Sequence, residues 1–318
     1  MILKKHPEDF IVKEVFKRTL NKTGRYSIYL LKKIDYTTEA AITEVAKQLN
    51  VDRKKISYAG LKDRRAITYQ YISILDSKPS GFETENITLT YQGKSDGPVS
   101  LGDLEGNNFE IVVRELKDPK IAKKRVPNYF DEQRFSSNNH VIGRFIVNSK
   151  FEEAVNLILE FDQQKARHLK KVLYDNPNDY VNALRQIQPK MLMLYVHAYQ
   201  SFLWNETVKR YLQKNPRSNQ RQIPIIGFGS DIPEDLEPII DELLEEENIS
   251  LRSFIIREIP SLSAEGTNRS LFIDYKDLEF EVESDGDIYK KVRFKFYLPK
   301  GSYATMLVKN LLDGSSGI

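Results

Sequence analysis

The stretch Tyr58-Ala-Gly-Leu-Lys-Asp-Arg-Arg-Ala-Ile-Thr-Tyr-Gln70 sets one carboxylate, Asp63, among three cations, Lys62, Arg64 and Arg65. Neighbouring positive charge favours the anionic form of a carboxylate, and an anionic Asp is a nucleophile toward an electron-poor sugar carbon. Asp in a charged turn also serves as a solvated or capping group, so spacing alone leaves both roles open. Ile56-Ser57-Tyr58 precedes this turn, and Ile67, Tyr69, Tyr71, Ile72 and Ile74 follow it. β-Branched and aromatic residues on either side of a Gly-containing turn predict a strand, a loop bearing Asp63, and a second strand.

A second group of residues suited to chemistry lies at Pro127-Asn-Tyr-Phe-Asp-Glu-Gln-Arg-Phe135. Phe130 offers a ring face on which an extruded base can stack, and Asn128 offers an amide for hydrogen bonds to that base. Tyr129, Phe130 and Phe135 also suit a plain apolar core. Near the start, Lys4 precedes an alternating strand that runs through Phe10, Val12 and Val15. Position alone makes Lys4 an exposed terminal cation.

The elements that must position these residues follow from periodicity. Arg25–Leu31, Ile87–Tyr91 and Asn108–Arg114 predict strands. Thr37–Asn50 predicts a helix that starts at a Thr cap and buries Ala41, Ile42, Val45, Ala46 and Leu49 on one face. From Phe151 the pattern turns helical, through 151–161, 165–174 and 189–213, the last with Leu194, Ala198, Phe202, Val208 and Leu212 as its buried stripe. His197 on that helix is read as a surface or packing residue, and Asn205 as a cap or a brace for a neighbouring loop. Asp231–Glu247 holds nine acidic residues and no basic one, a face expected to point away from polyanions. Strand patterns resume at 272–275, 278–282 and 292–298, so one sheet domain interrupted by an inserted helical domain is expected, with joints near 150 and 271.

The 318 residues exceed one typical core. The absence of cysteine excludes disulfides and thiolate zinc sites, and the four histidines lack carboxylates at ligand spacing, so no metal is expected. Apolar windows are broken by Lys, Asp or Gln within a few residues and no signal peptide is evident, so a cytoplasmic protein without a membrane segment is expected. The net charge of +3 is uneven: residues 1–150 carry 27 Lys and Arg against 19 Asp and Glu, whereas residues 151–270 carry 14 against 18 and residues 271–318 carry 7 against 8. A basic first half suits a polyanion gripped mainly by one part of the molecule. A generic Lys-rich surface has the same balance.

Several of these stretches resemble, in order, motifs of the TruD family of tRNA pseudouridine synthases. Lys4-x-His-Pro-Glu-Asp-Phe-Ile-Val12 is similar to the family's Pro-Glu-Asp-Phe-x-Val element, and Tyr58–Gln70 to Ala-Gly-x-Lys-Asp-x-x-Ala-x-Thr-x-Gln. Asn128–Phe135 resembles Asn-Tyr-Phe-Gly-x-Gln-Arg-Phe-Gly, with Asp131 and Ser136 in place of two glycines. Tyr195–Asn205 resembles the helix of the insertion peculiar to the family, and Leu298–Thr305 the closing Leu-Pro-x-Gly-Ser-[Phe/Tyr]-Ala-Thr element.

The resemblance implies an α+β fold: a catalytic domain of residues 1–150 plus 271–318 on a mixed, largely antiparallel sheet, interrupted by a mainly helical insertion domain, 151–270. It implies a cofactor-free isomerisation of uridine in tRNA, at position 13 or, in precursor tRNA, at position 35, with tRNA as the partner and no obligate protein partner. Asp63 takes the catalytic position, and Lys4, Asn128 and Phe130 fall at substrate-binding positions. Attack by Asp63 on C1′, attack on the base ring, and removal of a sugar proton all remain open. A non-catalytic RNA-binding or RNA-folding protein on the same scaffold is the alternative, opposed by the intact Lys62-Asp63 pair. A carboxylate-based glycoside hydrolase needs a second acid, which the loop sequence does not supply.

Overall fold

The computed structural model describes residues 1–161, 163–286 and 288–312. They form two compact units, one of Met1–Ala122 with Asp274–Ala304, the other of Lys123–Ile273 with Thr305–Leu311. The first joint precedes the position near 150 suggested by the onset of helical periodicity. The reason is that the chain from Pro127 to Val147 packs within the second unit. Gly143 lies so close to the later helix that carries Tyr195 that a Cβ there would collide with the Tyr195 carbonyl.

The first unit opens with β1 (Ile2–Leu3), β2 (Phe10–Phe16), β3 (Tyr26–Ile34), α1 (Thr38–Gln48), β4 (Ile56–Tyr58), β5 (Ile67–Leu75), β6 (Phe82–Glu83), β7 (Ile87–Ser95) and β8 (Leu104–Leu116). Thr37 caps α1 by accepting from the Ala40 N–H at 3.1 Å. The helix lays Ala41, Ile42 and Val45 against Tyr29 and Leu31 of β3 and Ile72 and Ile74 of β5, all buried. Each large aliphatic side chain so buried contributes about 2 kcal/mol.

The second unit holds α2 (Asn139–Val147), α3 (Phe151–Phe161), α4 (Gln163–Asp175), α5 (Tyr180–Arg185), α6 (Pro189–Lys214), β9 (Gln222–Ile225), α7 (Glu237–Glu247) and β10 (Thr267–Ser270). α6 runs through its core, with Tyr195, Tyr199, Leu203 and Trp204 buried. The acidic stretch ending in α7 is partly neutralised inside this unit: Arg210 meets Glu246 at 2.6 Å and Arg144 meets Glu247 at 2.8 Å. The strand expected at 272–275 is reduced to a single bridge between Pro127 and Phe272. The Gln220 side chain substitutes for a strand partner, bonding both the N–H and the carbonyl of Phe272.

The chain returns to the first unit as β11 (Lys276–Ser284) and β12 (Lys290–Pro299), followed by α8 (Ala304–Leu312), most of which belongs to the second unit. The sheet of the first unit runs β11-β12-β8-β2-β5-β3-β7-β6, with β1 added to β8 and β4 to β5. β2 and β5 pair in parallel and the other pairs are antiparallel. This is a mixed, largely antiparallel sheet beside helices, an α+β architecture.

One buried pair ties the amino-terminal segment to the sheet. Asp9, at the end of a Pro7–Asp9 turn, receives Arg114 of β8 through Nε and Nη2, the latter at 2.8 Å, and the His6 N–H at 3.0 Å. Burial pushes this carboxyl up, but the Arg114 and His6 hydrogen bonds outweigh it and hold Asp9 below the usual carboxylate range. Asp9→Ala leaves Arg114 with Asp285 alone. It is expected to lower the unfolding free energy by about 3 kcal/mol, read as a lowered urea midpoint.

Candidate active site

Asp63 sits on the loop between β4 and β5, strands that pair with each other from Ile56↔Ile74 to Tyr58↔Ile72. Three buried polar side chains fix the backbone of this loop. Thr38, at the start of α1, accepts from the Lys62 N–H at 2.9 Å and donates to Gln70 Oε1 at 3.1 Å. Gln70 Nε2 donates to the Gly60 carbonyl at 3.2 Å. Lys33, in phase with Tyr29 and Leu31 on β3, donates from Nζ to the Asp63 carbonyl at 2.7 Å. The Asp63 carboxylate is therefore presented by a backbone anchored from beneath at residues 60, 62 and 63.

The cation that meets the Asp63 side chain is not one of its sequence neighbours. Lys62 turns inward, with Nζ 2.7 Å from Glu14 Oε1 and 3.0 Å from Asn107 Oδ1. Arg64 points to Asp35 at 3.9 Å. Instead Lys4 Nζ lies 2.9 Å from Asp63 Oδ1, a pair with side chains 21% and 38% exposed. Lys4 adopts a positive φ of 55°, and its ammonium lies 4.1 Å over the Phe10 ring, a cation–π contact that steadies the charge. Glu14, a carboxylate the sequence reading did not weigh, is occupied: Lys62 holds one oxygen and the Tyr71 N–H donates to the other at 2.7 Å.

Asn128 and Phe130 lie in the second unit, and there Arg269 joins them. Its Nε donates to the Asn128 carbonyl and its Nη2 to Asn128 Oδ1, each at 2.8 Å, so the Asn128 amide presents its N–H donors elsewhere. The same guanidinium lies 4.1 Å over the Phe130 ring, which meets Trp204 edge-on at 5.6 Å. Asn205 braces this segment, accepting from the Phe130 N–H at 2.9 Å and donating to its carbonyl at 3.1 Å. Asp131, in place of a family glycine, is extended at φ −70°, so this backbone needs no glycine. Its carboxylate accepts from the Thr305 hydroxyl, linking the closing motif to this one. His197 is exposed on α6.

Sequence reasoning missed Lys33, Thr38, Glu14 and Arg269. A signal existed for Lys33, a cation two and four residues beyond Leu31 and Tyr29 on the apolar face of a strand. Arg269 had none, since it lies 141 residues from Asn128. Among the described residues no group of three or more His, Asp or Glu is placed to hold a metal ion, and no helix is long and apolar enough to cross a membrane.

Burial pulls the Lys33 ammonium down to about 8, against the opposing pull of the Asp63 charge. An unfolded Lys titrates near 10.4, so between those values the unfolded chain binds more protons and stability rises with pH. The contribution is complete above about 10.4 and is lost as pH falls through about 8. Urea unfolding from pH 7.5 to 10.5 is expected to show a rise on the order of 3 kcal/mol in the parent that is absent from Lys33→Met.

Comparison with known proteins identifies the family. The profile of the family described as tRNA pseudouridine synthase D (TruD) matches residues 1–171, 159–222 and 215–311. A Nanoarchaeum equitans protein assigned as a tRNA pseudouridine synthase D is 32% identical, with 98% of this chain and 98% of that protein covered. The tRNA pseudouridine synthase D of Aquifex aeolicus is 31% identical, with 97% of each covered. The crystal structure of a protein assigned as TruD from Methanosarcina mazei superposes with a TM-score of 0.78 at 28% identity, over 98% of this chain and 93% of that one. The chain belongs to the tRNA pseudouridine synthase D (TruD) family, a family of isomerases that form pseudouridine in tRNA.

Proposed function

We propose that this protein isomerises one uridine of tRNA to pseudouridine, at position 13 or, as the other candidate, at position 35 of precursor tRNA, with Asp63 as the reacting carboxylate. The observation that carries the reading is the 2.9 Å pair of Lys4 Nζ and Asp63 Oδ1 on a loop whose backbone is tied down by Lys33, Thr38 and Gln70. The ammonium meets the carboxylate directly, and a rigid loop holds that carboxylate where a reacting atom must arrive.

The reaction is redox-neutral. The N1–C1′ bond breaks, the base turns, C5 bonds to C1′, C5 loses its proton and N1 gains one. Asp63 acts by adding to C1′, by adding to the base ring, or by removing a sugar proton, and each route needs its anion. Lys4 keeps that anion paired until substrate enters. Phe130 supplies a face for the flipped uracil, and Asn128 donates Nδ2–H to one of its carbonyls. Extruding a base costs a few kcal/mol, which phosphate contacts along the basic residues of 1–150 offset. A binding protein on the same scaffold would need neither the Lys4–Asp63 pair nor an anchored loop.

Two measurements test this. Purified protein without added metal or nucleotide is expected to release tritium from 5-tritiated uridine in tRNA transcripts, with the modified position mapped by sequencing; no release from any cognate tRNA would leave the binding-protein reading. Phe130→Ala is expected to lower the rate by about 10- to 100-fold, as the loss of one stacking face would, whereas an unchanged rate would remove Phe130 from the site.

A further inference from the structure

The second unit contains a cavity of about 530 Å³ that the proposed reaction does not use. Lys124, Arg125 and Arg217 supply its charge, Tyr129 and Phe272 its aromatic walls, and Asn310 a polar edge, with no carboxylate in the lining. Three other arginines of this unit are paired with acids, Arg210 with Glu246, Arg144 with Glu247 and Arg221 with Asp235. Arg125 instead donates to a neutral carbonyl, that of Ser218, at 2.7 Å, and its guanidinium lies 5.8 Å over the Phe272 ring. Among the described residues Arg217 is exposed and has no carboxylate partner. Burial, and then the charge of Glu206, push the Tyr129 hydroxyl up to about 12, so it remains a neutral donor.

The cavity borders the segment that carries Asn128 and Phe130. Pro127 and Tyr129 line it, whereas the alternate residues Asn128 and Phe130 meet Arg269. One short segment thus offers two sets of groups. A guanidinium held beside an aromatic ring, with a second, exposed guanidinium at the same cavity and neither paired with an acid, matches a phosphate joined to a base, and a few hundred Å³ is the scale of a small-ligand site.

We propose that this cavity is a second RNA subsite, which takes an unpaired nucleotide of the tRNA other than the reacting uridine. Its phosphate meets Arg125 and Arg217, and its base lies against Tyr129 and Phe272. The assignment rests on tRNA being the substrate. Occupancy would couple the grip on the tRNA to the segment that carries Asn128 and Phe130.

The test uses the full chain and a tRNA transcript that it modifies. Arg125→Gln/Arg217→Gln is expected to raise KM for tRNA by about tenfold with kcat within about twofold, and to reduce the slope of log affinity against log salt by about one to two. Arg217→Gln alone removes a cation without a carboxylate partner and carries the test if the double variant unfolds, with about a threefold rise in KM. Arg252→Gln, outside the cavity, is the control and should match the parent. A single-stranded oligonucleotide should compete with tRNA for the parent more strongly than an RNA duplex does, and that difference should shrink in Arg217→Gln. Turnover in the parent with unchanged KM and salt slope in both variants overturns the subsite and leaves the catalytic reading standing. A parent that makes no pseudouridine, with tRNA binding still weakened by Arg217→Gln, supports the subsite and overturns the catalytic reading. Equal competition by duplex and single strand in the parent overturns the assignment to an unpaired nucleotide.

Discussion

A buried ammonium under a loop is the constraint on which the first unit depends. Lys33 is fully buried and its Nζ meets the Asp63 carbonyl rather than the Asp63 carboxylate. Burying that charge is costly, and the cost is offset only if the loop stays where its carbonyl can accept the bond. Thr38 and Gln70 then hold the residues just before it. The backbone is thereby restrained independently of the Asp63 side chain, which remains available to Lys4 and to a substrate. Lys4 in turn depends on Asp9 and Arg114, which dock the amino-terminal segment on β8. Pairing in space thus replaces the pairing in sequence that the Lys62-Asp63-Arg64-Arg65 run suggests.

In the second unit the same division between support and function recurs with different groups. Asn205 satisfies both backbone groups of Phe130, Trp204 meets its ring edge-on, and Arg269 covers a face of that ring while occupying the Asn128 oxygens. α6 therefore does for Phe130 what β3 and α1 do for Asp63: it fixes a backbone from behind. A side chain locked in this way would lose little conformational entropy on stacking with a base, the role proposed for Phe130.

Much of this was legible in the chain. Alternation and helical period placed the long elements, with α1 burying one face, β3 and β5 alternating over part of their length, and α6 buried nearly all round as the core helix of its unit. The strand-loop-strand around Asp63 followed from Ile and Tyr flanking Gly60. The partners were not legible, because a local run cannot show which of several cations folds back on a carboxylate: Lys4 lies 59 residues from Asp63 and Arg269 far from Asn128. The compact units divide at Lys123, ahead of the onset of helical periodicity at 151, because Pro127–Val147 already packs within the second unit. The strand expected at 272–275 failed because a side-chain amide, that of Gln220, took the place of a ladder partner.

The Asp63 carboxylate is proposed to perform chemistry on a loop that other residues hold in place. Asp63→Asn removes the charge, keeps size and polarity, and leaves the Asp63-position carbonyl free to accept from Lys33. Single-turnover release of tritium from 5-tritiated tRNA, with tRNA affinity and thermal unfolding measured on the same preparation, is the most direct test. Release is expected to slow by at least about a thousandfold, with affinity within a few-fold of the parent and an intact unfolding transition. Release at a rate near that of the parent, or loss of activity only because the protein unfolds, would contradict it and make Asp63 a structural turn residue.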